Sequence, residues 1–555
     1  MKELITDTEL RKASTSCTAT HVIAREQYKQ SASRSVCAYQ PEAELSQSGL
    51  YKTLTKMSST VLLAIALIFL AWFFSKSPRA TAHLQVPTVT FGWFVPDFVN
   101  RLLFFVLGRY LIYNGYKKYK DVPFRVRKVD ADIIVLPARY LPHIRQLPHT
   151  RLSLLEAQFD SVCGDYTNVL NDSHLPSITV TKKLTPAMGR LIPRVIDELQ
   201  HAFQIEVPEC NNDWVSVNIY YTILKLINRS TSRIIVGERL CRSEQWLNTV
   251  AQYTEHLGMT ILLLRPLPRF IRPLAAKLLP SVRYLNKTLK WVKEDVFVPM
   301  ILERREAEAN DPEYQKPDDF MQWMMEIADN DFDKDPGNIA HGLMIIMALA
   351  ISHTSTMLIT QGIYDLMVQP EYLEPLRTEI IDTLKNGWVN ATKADFAAQI
   401  RLDSFLRESQ RLNPSSEVNI HRIAKETIIF PDGLMIPKGT YICFPSGPLS
   451  RDPDLIESPE TFNGFRWCQD PNSRSNSLVS INDLNLHFGY GRQACPGRHF
   501  AANTAKAILS RLLVEYDMKF EKGKEGKRPR NIRNGEQILP NLYTKLLLKK
   551  RNVTI

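Results

Sequence analysis

No two of the eight cysteines form a CxxC pair, and none belongs to a dense framework of the kind that staples small secreted domains. A disulfide scaffold and a clustered zinc site are thereby excluded, and the body of the chain reads as cytosol-facing. A Gly-rich dinucleotide loop is also missing, so the chain does not carry its own nicotinamide-binding domain. No internal repeat and no long low-complexity linker interrupts it, which removes solenoids and strings of small modules. The net charge of +11 comes from basic residues spread along all 555 positions, with no nucleic-acid motif beside them. An anionic membrane surface or an acidic redox partner fits that excess better. At this length, and 44% hydrophobic, the chain is large enough to bury a cofactor.

The longest apolar run is "MSSTVLLAIALIFLAWFFS", residues 57–75, 19 positions without a charge between Lys56 and Lys76. As a helix it spans roughly 28 Å, close to a bilayer's hydrocarbon core. It has no polar face, which argues against a buried core helix and for a single transmembrane helix. Lys52 and Lys56 before it balance Lys76 and Arg79 after it, so flanking charge does not set its orientation. Residues 1–56 hold six acids and eight bases, too many acids for a transit peptide, and read as a disordered extension. Pro78, Pro87 and Pro96 make 76–97 a stiff linker.

The remainder, 98–551, reads as one domain. "FVNRLLFFVLGRYLIYNGYKKY" (98–119) has helical periodicity, and "PFRVRKVDADIIVLP" (123–137) predicts two short strands about a turn. From 141 to 410 the long segments are helical. Between 418 and 444, PDG and PKG turns separate apolar runs and predict further short strands. The fold class is mainly α with a small β part.

One stretch near the end departs from this texture. "FGYGRQACPG" (488–497) surrounds Cys495 with glycines, and a strongly helical segment follows. Glycine exposes backbone N–H groups and lets the main chain approach a flat ligand, while a helix N-terminus favours thiolate over thiol. That arrangement suits one axial metal–sulfur bond; a structural loop with an incidental buried cysteine is the plainer alternative.

The stretch resembles the heme-binding loop of the cytochrome P450 family, F-x-x-G-x-[R/H]-x-C-x-G, through Phe488, Gly491, Cys495 and Gly497. Gln493 stands where the family has Arg or His, with Arg492 just before it, so the customary contact to a heme propionate falls to one of these two. "ESQR" (408–411) resembles the family's E-x-x-R, with Glu408 and Arg411 one helical turn apart, and "FNGFRW" (462–467) resembles the segment whose arginine, here Arg466, completes an ion triad. "AISHTS" (350–355) resembles the oxygen-binding motif, in which Thr354 matches the catalytic threonine. There Ile351 replaces a glycine, and His353 replaces an acid as the expected proton relay. In "NIHRIAKE" (419–426), His421 is preferred over Arg422 as a propionate partner. No W-x-x-x-R pair is present, which leaves Lys182, Lys183 and Arg190 as further candidates.

The resemblance is specific from residue 339 onward and closest to filamentous-fungal, microsomal-type members of secondary metabolism. It implies heme b ligated by the Cys495 thiolate, electrons from NADPH through a separate membrane-bound cytochrome P450 reductase, and monooxygenation of an apolar small molecule, of terpenoid type by that analogy alone. It also implies an endoplasmic reticulum anchor with the catalytic domain in the cytosol. "LGMTILLLRPLPRFIRPLAAKLLP" (257–280) resembles the family's lipid-dipping lid. A thiolate-heme isomerase or dehydratase, or a non-catalytic heme protein, would keep Cys495 and the triad yet need no reductase.

Overall fold

The structure, a computed structural model, describes residues 84–267, 269–468 and 476–553. The readings of 1–56 as an extension and of 57–75 as a membrane helix lie outside the described residues.

Within the segment expected to be a stiff, proline-containing linker, 88–89 form a strand. Pro87 holds extended backbone, its carbonyl accepts a hydrogen bond from Arg125 N at 2.8 Å, and β1 (Thr88–Val89) then runs parallel to β2 (Phe124–Arg127). Helix α1 (Asp97–Lys118) lies between them in the chain, with Asp97 in its first turn and Lys117 and Lys118 in its last, as the helix dipole favours. β2 and β3 (Asp132–Val135) form the hairpin read from 123–137, with Arg127 opposite Asp132. With β4 (Leu152–Ser153), β6 (Asn419–Ala424) and β9 (Tyr441–Phe444) they make a six-stranded sheet in the order β1-β2-β3-β9-β6-β4.

The smaller sheets are β5 (Val215–Asn218), β10 (Tyr516–Phe520) and β13 (Lys545–Lys550) in the order β10-β13-β5, the pair β7 (Ile428–Ile429) and β8 (Met435–Ile436), and the hairpin of β11 (Ile532–Asn534) with β12 (Gln537–Leu539). The PDG and PKG turns flank β8, with Gly433 at φ +84° and Gly439 at φ +80°, where a side chain would be strained.

Helices supply most of the mass: α2 (Met188–Glu206), α3 (Ile219–Ile235), α4 (Glu244–Leu264), α5 (Pro336–Val368), α6 (Ile400–Leu412) and α7 (Arg498–Glu515). Arg229 of α3, 1% exposed, binds Glu206 of α2 at 2.7 Å and also Glu244 of α4, so three helices share one buried cation. α5 is capped by Asp335, whose carboxylate accepts from Asn338 N at 2.9 Å, and opens on Pro336. It packs on α3 and α6 at the centre of the helical core. Among the described residues α5 alone is long and apolar enough to cross a membrane. Because 61% of its most apolar window is buried inside the fold, it is placed as a core helix.

Between Ile345 and Ile351, α5 widens into a π turn. Packing is tight where α1 meets the β11–β12 hairpin: a Cβ on Gly108 of α1 would meet the Gly535 carbonyl at 2.8 Å, while Gly535 N donates to Phe105 O at 2.7 Å. Gly108→Ala is expected to push the β11–β12 hairpin off α1 and to cost about 1–3 kcal/mol, read as a lowered midpoint in thermal unfolding.

Candidate active site

The cysteine loop is folded by its own backbone. Cys495 N donates to Phe488 O at 2.7 Å, Gly489 N to Leu486 O at 3.0 Å and Ala494 N to Gly491 O at 3.2 Å. Gly491, at φ +65°, has no room for a side chain, since a Cβ there would meet the Arg145 carbonyl oxygen at 2.6 Å. Three residues after Cys495, α7 begins, and the N–H groups of Gly497 and Arg498 turn back to the sulfur. Burial pushes the Cys495 thiol up; those two donors and the Arg498 charge pull it down. The sulfur is accessible because it fronts a cavity, although protein encloses it deeply.

That cavity is mainly apolar. Phe488, Cys495 and Phe500 form one wall, and Ala350, Ile351 and Thr354 of α5 form another. The π turn ends at this place. It does locally what a glycine could do by flexibility: it alters the hydrogen-bond ladder, and Thr354 Oγ1 donates to Ala350 O at 2.6 Å while facing the cavity.

Behind the cysteine loop, Glu408 is fully buried. Both its oxygens take bonds from Arg411, at 2.9 and 2.8 Å, and Oε1 also takes one from Arg466 Nε at 3.2 Å. Asn463 N at 3.0 Å and Trp467 Nε1 at 3.1 Å complete its shell. These donors hold the carboxyl below its ordinary value although burial alone would raise it. Arg411 spends its remaining donors on the carbonyls of Ser450 and Pro459, at 2.8 and 2.6 Å. The cluster therefore locks α6 to the segment that leads into the cysteine loop.

Other residues singled out from sequence lie elsewhere than expected. Gln493 is consumed by β4 and its neighbour: its Nε2 donates to Leu152 O at 2.8 Å and its Oε1 accepts from Leu154 N at 3.0 Å. Arg492 is exposed and lines a surface recess with Arg145 and Tyr490 rather than the cavity of Cys495. His421 turns to Tyr441 and bonds Val418 O at 3.0 Å; burial and the Lys128 charge push it down to about 4. The next residue on β6, Arg422, is 3% exposed and forms no ion pair among the described residues. It donates only to carbonyls, His421 O at 2.8 Å and Gln493 O at 3.5 Å, and burial lowers it to about 10. Lys183 and Arg190 are spent on ion pairs with Glu326 and Asp318, at 3.0 and 2.8 Å, and Lys182 is exposed.

His353 does not line the cavity. Its Nδ1 pairs with the Tyr220 hydroxyl at 2.5 Å, its Nε2 is buried without a partner among the described residues, and burial holds it down to about 4, so it is neutral near pH 7. Tyr220 carried no signal in the sequence, being 133 residues from its partner. His487, directly before the loop, carries no motif signal, yet it fronts the cavity with Nδ1 unpartnered among the described residues.

Residues 175–545 match the family model described as Cytochrome P450. The chain belongs to the cytochrome P450 family. It is 44% identical over 500 residues to Cytochrome P450 monooxygenase penP of Penicillium crustosum, covering 90% of this chain and 96% of that one. It is 45% identical over 484 residues to Cytochrome P450 monooxygenase paxP of Penicillium paxilli, covering 87% and 93%. It is also 44% identical over 503 residues to Cytochrome P450 monooxygenase AtmP of Aspergillus flavus, covering 90% and 96%. This P450 is accordingly a monooxygenase that takes O2 and NADPH-derived electrons, delivered by a redox partner to a heme iron held by thiolate.

The residues present fit that group. A buried guanidinium with no carboxylate beside it among the described residues, Arg422, fits an anion of the kind a heme carboxylate supplies, and a single sulfur with two backbone donors fronts an apolar slot. Removing one member of the Glu408 cluster leaves buried charge behind. Arg411→Leu is expected to cost about 3–5 kcal/mol and to yield protein without heme, checked by the heme-to-protein absorbance ratio after purification; a normal ratio would detach the cluster from heme retention.

Proposed function

We propose that this chain is a membrane-anchored P450 whose heme b is ligated by Cys495 and anchored through Arg422, and which oxidises a large apolar small molecule of terpenoid type. When bound, thiolate-ligated heme supplies an oxidant for unactivated C–H bonds. Everything else falls to side chains. Gly497 and Arg498 hold the sulfur's charge, the Glu408 cluster fixes the loop, and the apolar walls exclude water around the bound substrate. Thr354 and Ser355 of the "HTS" triplet both line the cavity; Thr354, whose hydroxyl donates to Ala350 O, is the residue assigned to hold and pass protons there. His353 takes a positioning role in this reading, tying α5 to α3 through Tyr220.

The observation that carries the proposal is the convergence of Cys495 and Thr354, 141 positions apart in sequence, on one apolar cavity in a chain of this family. Membrane attachment is supported by the apolar run 57–75 and by exposed apolar side chains that follow it: Trp93 is 96% exposed, Val106 68%, Phe270 64% and Leu278 69%. An endoplasmic reticulum anchor, a cytosolic domain and NADPH–cytochrome P450 reductase as electron donor complete the reading.

The test is full-length protein reconstituted with that reductase in phospholipid vesicles and offered a panel of terpenoid intermediates. NADPH consumption is expected to depend on substrate and to yield a product one oxygen heavier by mass. Turnover without electrons would instead assign an isomerase or dehydratase. In the same assay Thr354→Ala is expected to lower product per NADPH at least tenfold with release of hydrogen peroxide, while His353→Ala keeps its coupling. Equal uncoupling in both variants would return His353 to the proton path.

A further inference from the structure

At the end of α4, three stretches of chain far apart in sequence meet over four buried charges. Arg265, the residue that closes α4, binds Asp130 in the β2–β3 turn, Nε to Oδ2 at 3.0 Å, and its Nη2 lies 3.9 Å from Glu536 Oε1. Glu536, at the tip of the β11–β12 hairpin, accepts from Lys128 Nζ at 2.5 Å. The side chains of Lys128, Asp130 and Glu536 are at most 7% exposed, and that of Arg265 is 15% exposed. Two cations and two anions thus cancel out of reach of bulk water. Arg272 braces the turn after α4, donating to Leu267 O at 3.0 Å and to Arg265 O at 2.9 Å, so the last turn of α4 and the segment after it move with Arg265.

Above these charges runs a narrow cleft whose sides are apolar, Phe104 and Phe105 from α1 and Ile261 and Leu262 from α4. Its outer rim is the surface that bears exposed Val106, Leu262 and Leu263. Its inner boundary is the β11–β12 hairpin, which turns Glu536 to the cleft and Ile538 to the cavity of Cys495. One hairpin therefore separates an apolar surface from the reaction cavity, and the ion cluster holds that hairpin to the end of α4.

We propose that Arg265, Asp130, Lys128 and Glu536 form a latch on the path by which an apolar substrate reaches the cavity. The choice of charges is informative, because packing this seam with apolar residues of equal volume would be no less stable. An apolar seam, once parted, exposes oil to water; a seam of charges is repaid by hydration when it parts, so it closes dry and opens wet. The latch is a device for admission, not for chemistry: none of its members fronts the cavity.

The inference rests on the reading that substrate arrives from the apolar face, so its test uses a probe that reports arrival at the iron by itself. Heme-loaded full-length protein in detergent is mixed with 1-dodecylimidazole, a long apolar ligand, or with imidazole, and binding is followed by stopped-flow absorbance of the heme band. In the paired variant Asp130→Asn/Arg265→Met, association and dissociation of the dodecyl probe are expected to quicken about tenfold with little change in Kd, and imidazole rates to stay as they were. Amide exchange in peptides covering 269–280 is expected to quicken in parallel. Arg265→Lys, which keeps the charge and loses the fork, is expected to show the same change at smaller size, and it decides the matter if the paired variant does not fold. Unaltered dodecyl rates in the folded variants, or equal acceleration of both probes, would overturn the latch. Flotation of the full chain with phosphatidylcholine vesicles tests the membrane reading separately, so failure there leaves the detergent result standing.

Discussion

In the proposed reading the Cys495 sulfur must keep a negative charge although protein encloses it, and the cysteine loop, α7 and the Glu408 cluster all bear on that requirement. Burial alone drives Cys495 toward the neutral thiol. The opposing donors are backbone N–H groups, which stay in place only if the loop that carries them is rigid and the helix behind it starts at the right residue. Gly491, pressed against the Arg145 carbonyl, and the Cys495–Phe488 backbone bond provide the rigidity; α7 provides the start. The fully buried Glu408 then fastens α6 to the chain leading into the loop, through arginines and a tryptophan rather than through apolar contact alone. Such a cluster is a poor source of stability for its size, and its value lies in fixing one geometry.

Opposite the sulfur, the central helix has to be both core and reactive surface. Its length and apolar composition bury it between α3 and α6, whereas its π turn alters the ladder where Thr354 faces the cavity. The substitution of Ile351 for a glycine fits this picture, since a widened turn alters backbone pairing without asking any residue for a left-handed conformation. Beside it the Tyr220–His353 contact joins α5 to α3 as a neutral pair, because burial keeps the imidazole uncharged.

Much of this was legible in the sequence where the relation is local. The hairpin at 123–137, the strands among the PDG and PKG turns, and the pairing of Glu408 with Arg411 all follow from spacing of a few residues. What spacing could not convey was direction. On β6 the side chains alternate about a bulge, with Ile420 at φ +60°, and the guanidinium of Arg422, not the imidazole of His421, is the buried group that has no anion beside it among the described residues. Gln493 sits at the expected position in the loop, yet an amide offers a donor and an acceptor together, and the backbone of Leu152 and Leu154 takes both. By sequence His353 reads as a relay because it stands where the family has an acid; about 100° of helix rotation from Thr354 is enough to point it at α3 instead. Tyr220, and the charges that gather around Arg265, depend on contacts across more than a hundred residues and left no mark in any short window.

The central claim is that the Cys495 thiolate is the heme ligand, and the most direct measurement is the absorption spectrum of the reduced protein under carbon monoxide. The account predicts the red-shifted band of a thiolate-ligated heme in the wild-type chain and its loss in Cys495→Ser. Persistence of the band in that variant would mean that another residue holds the iron.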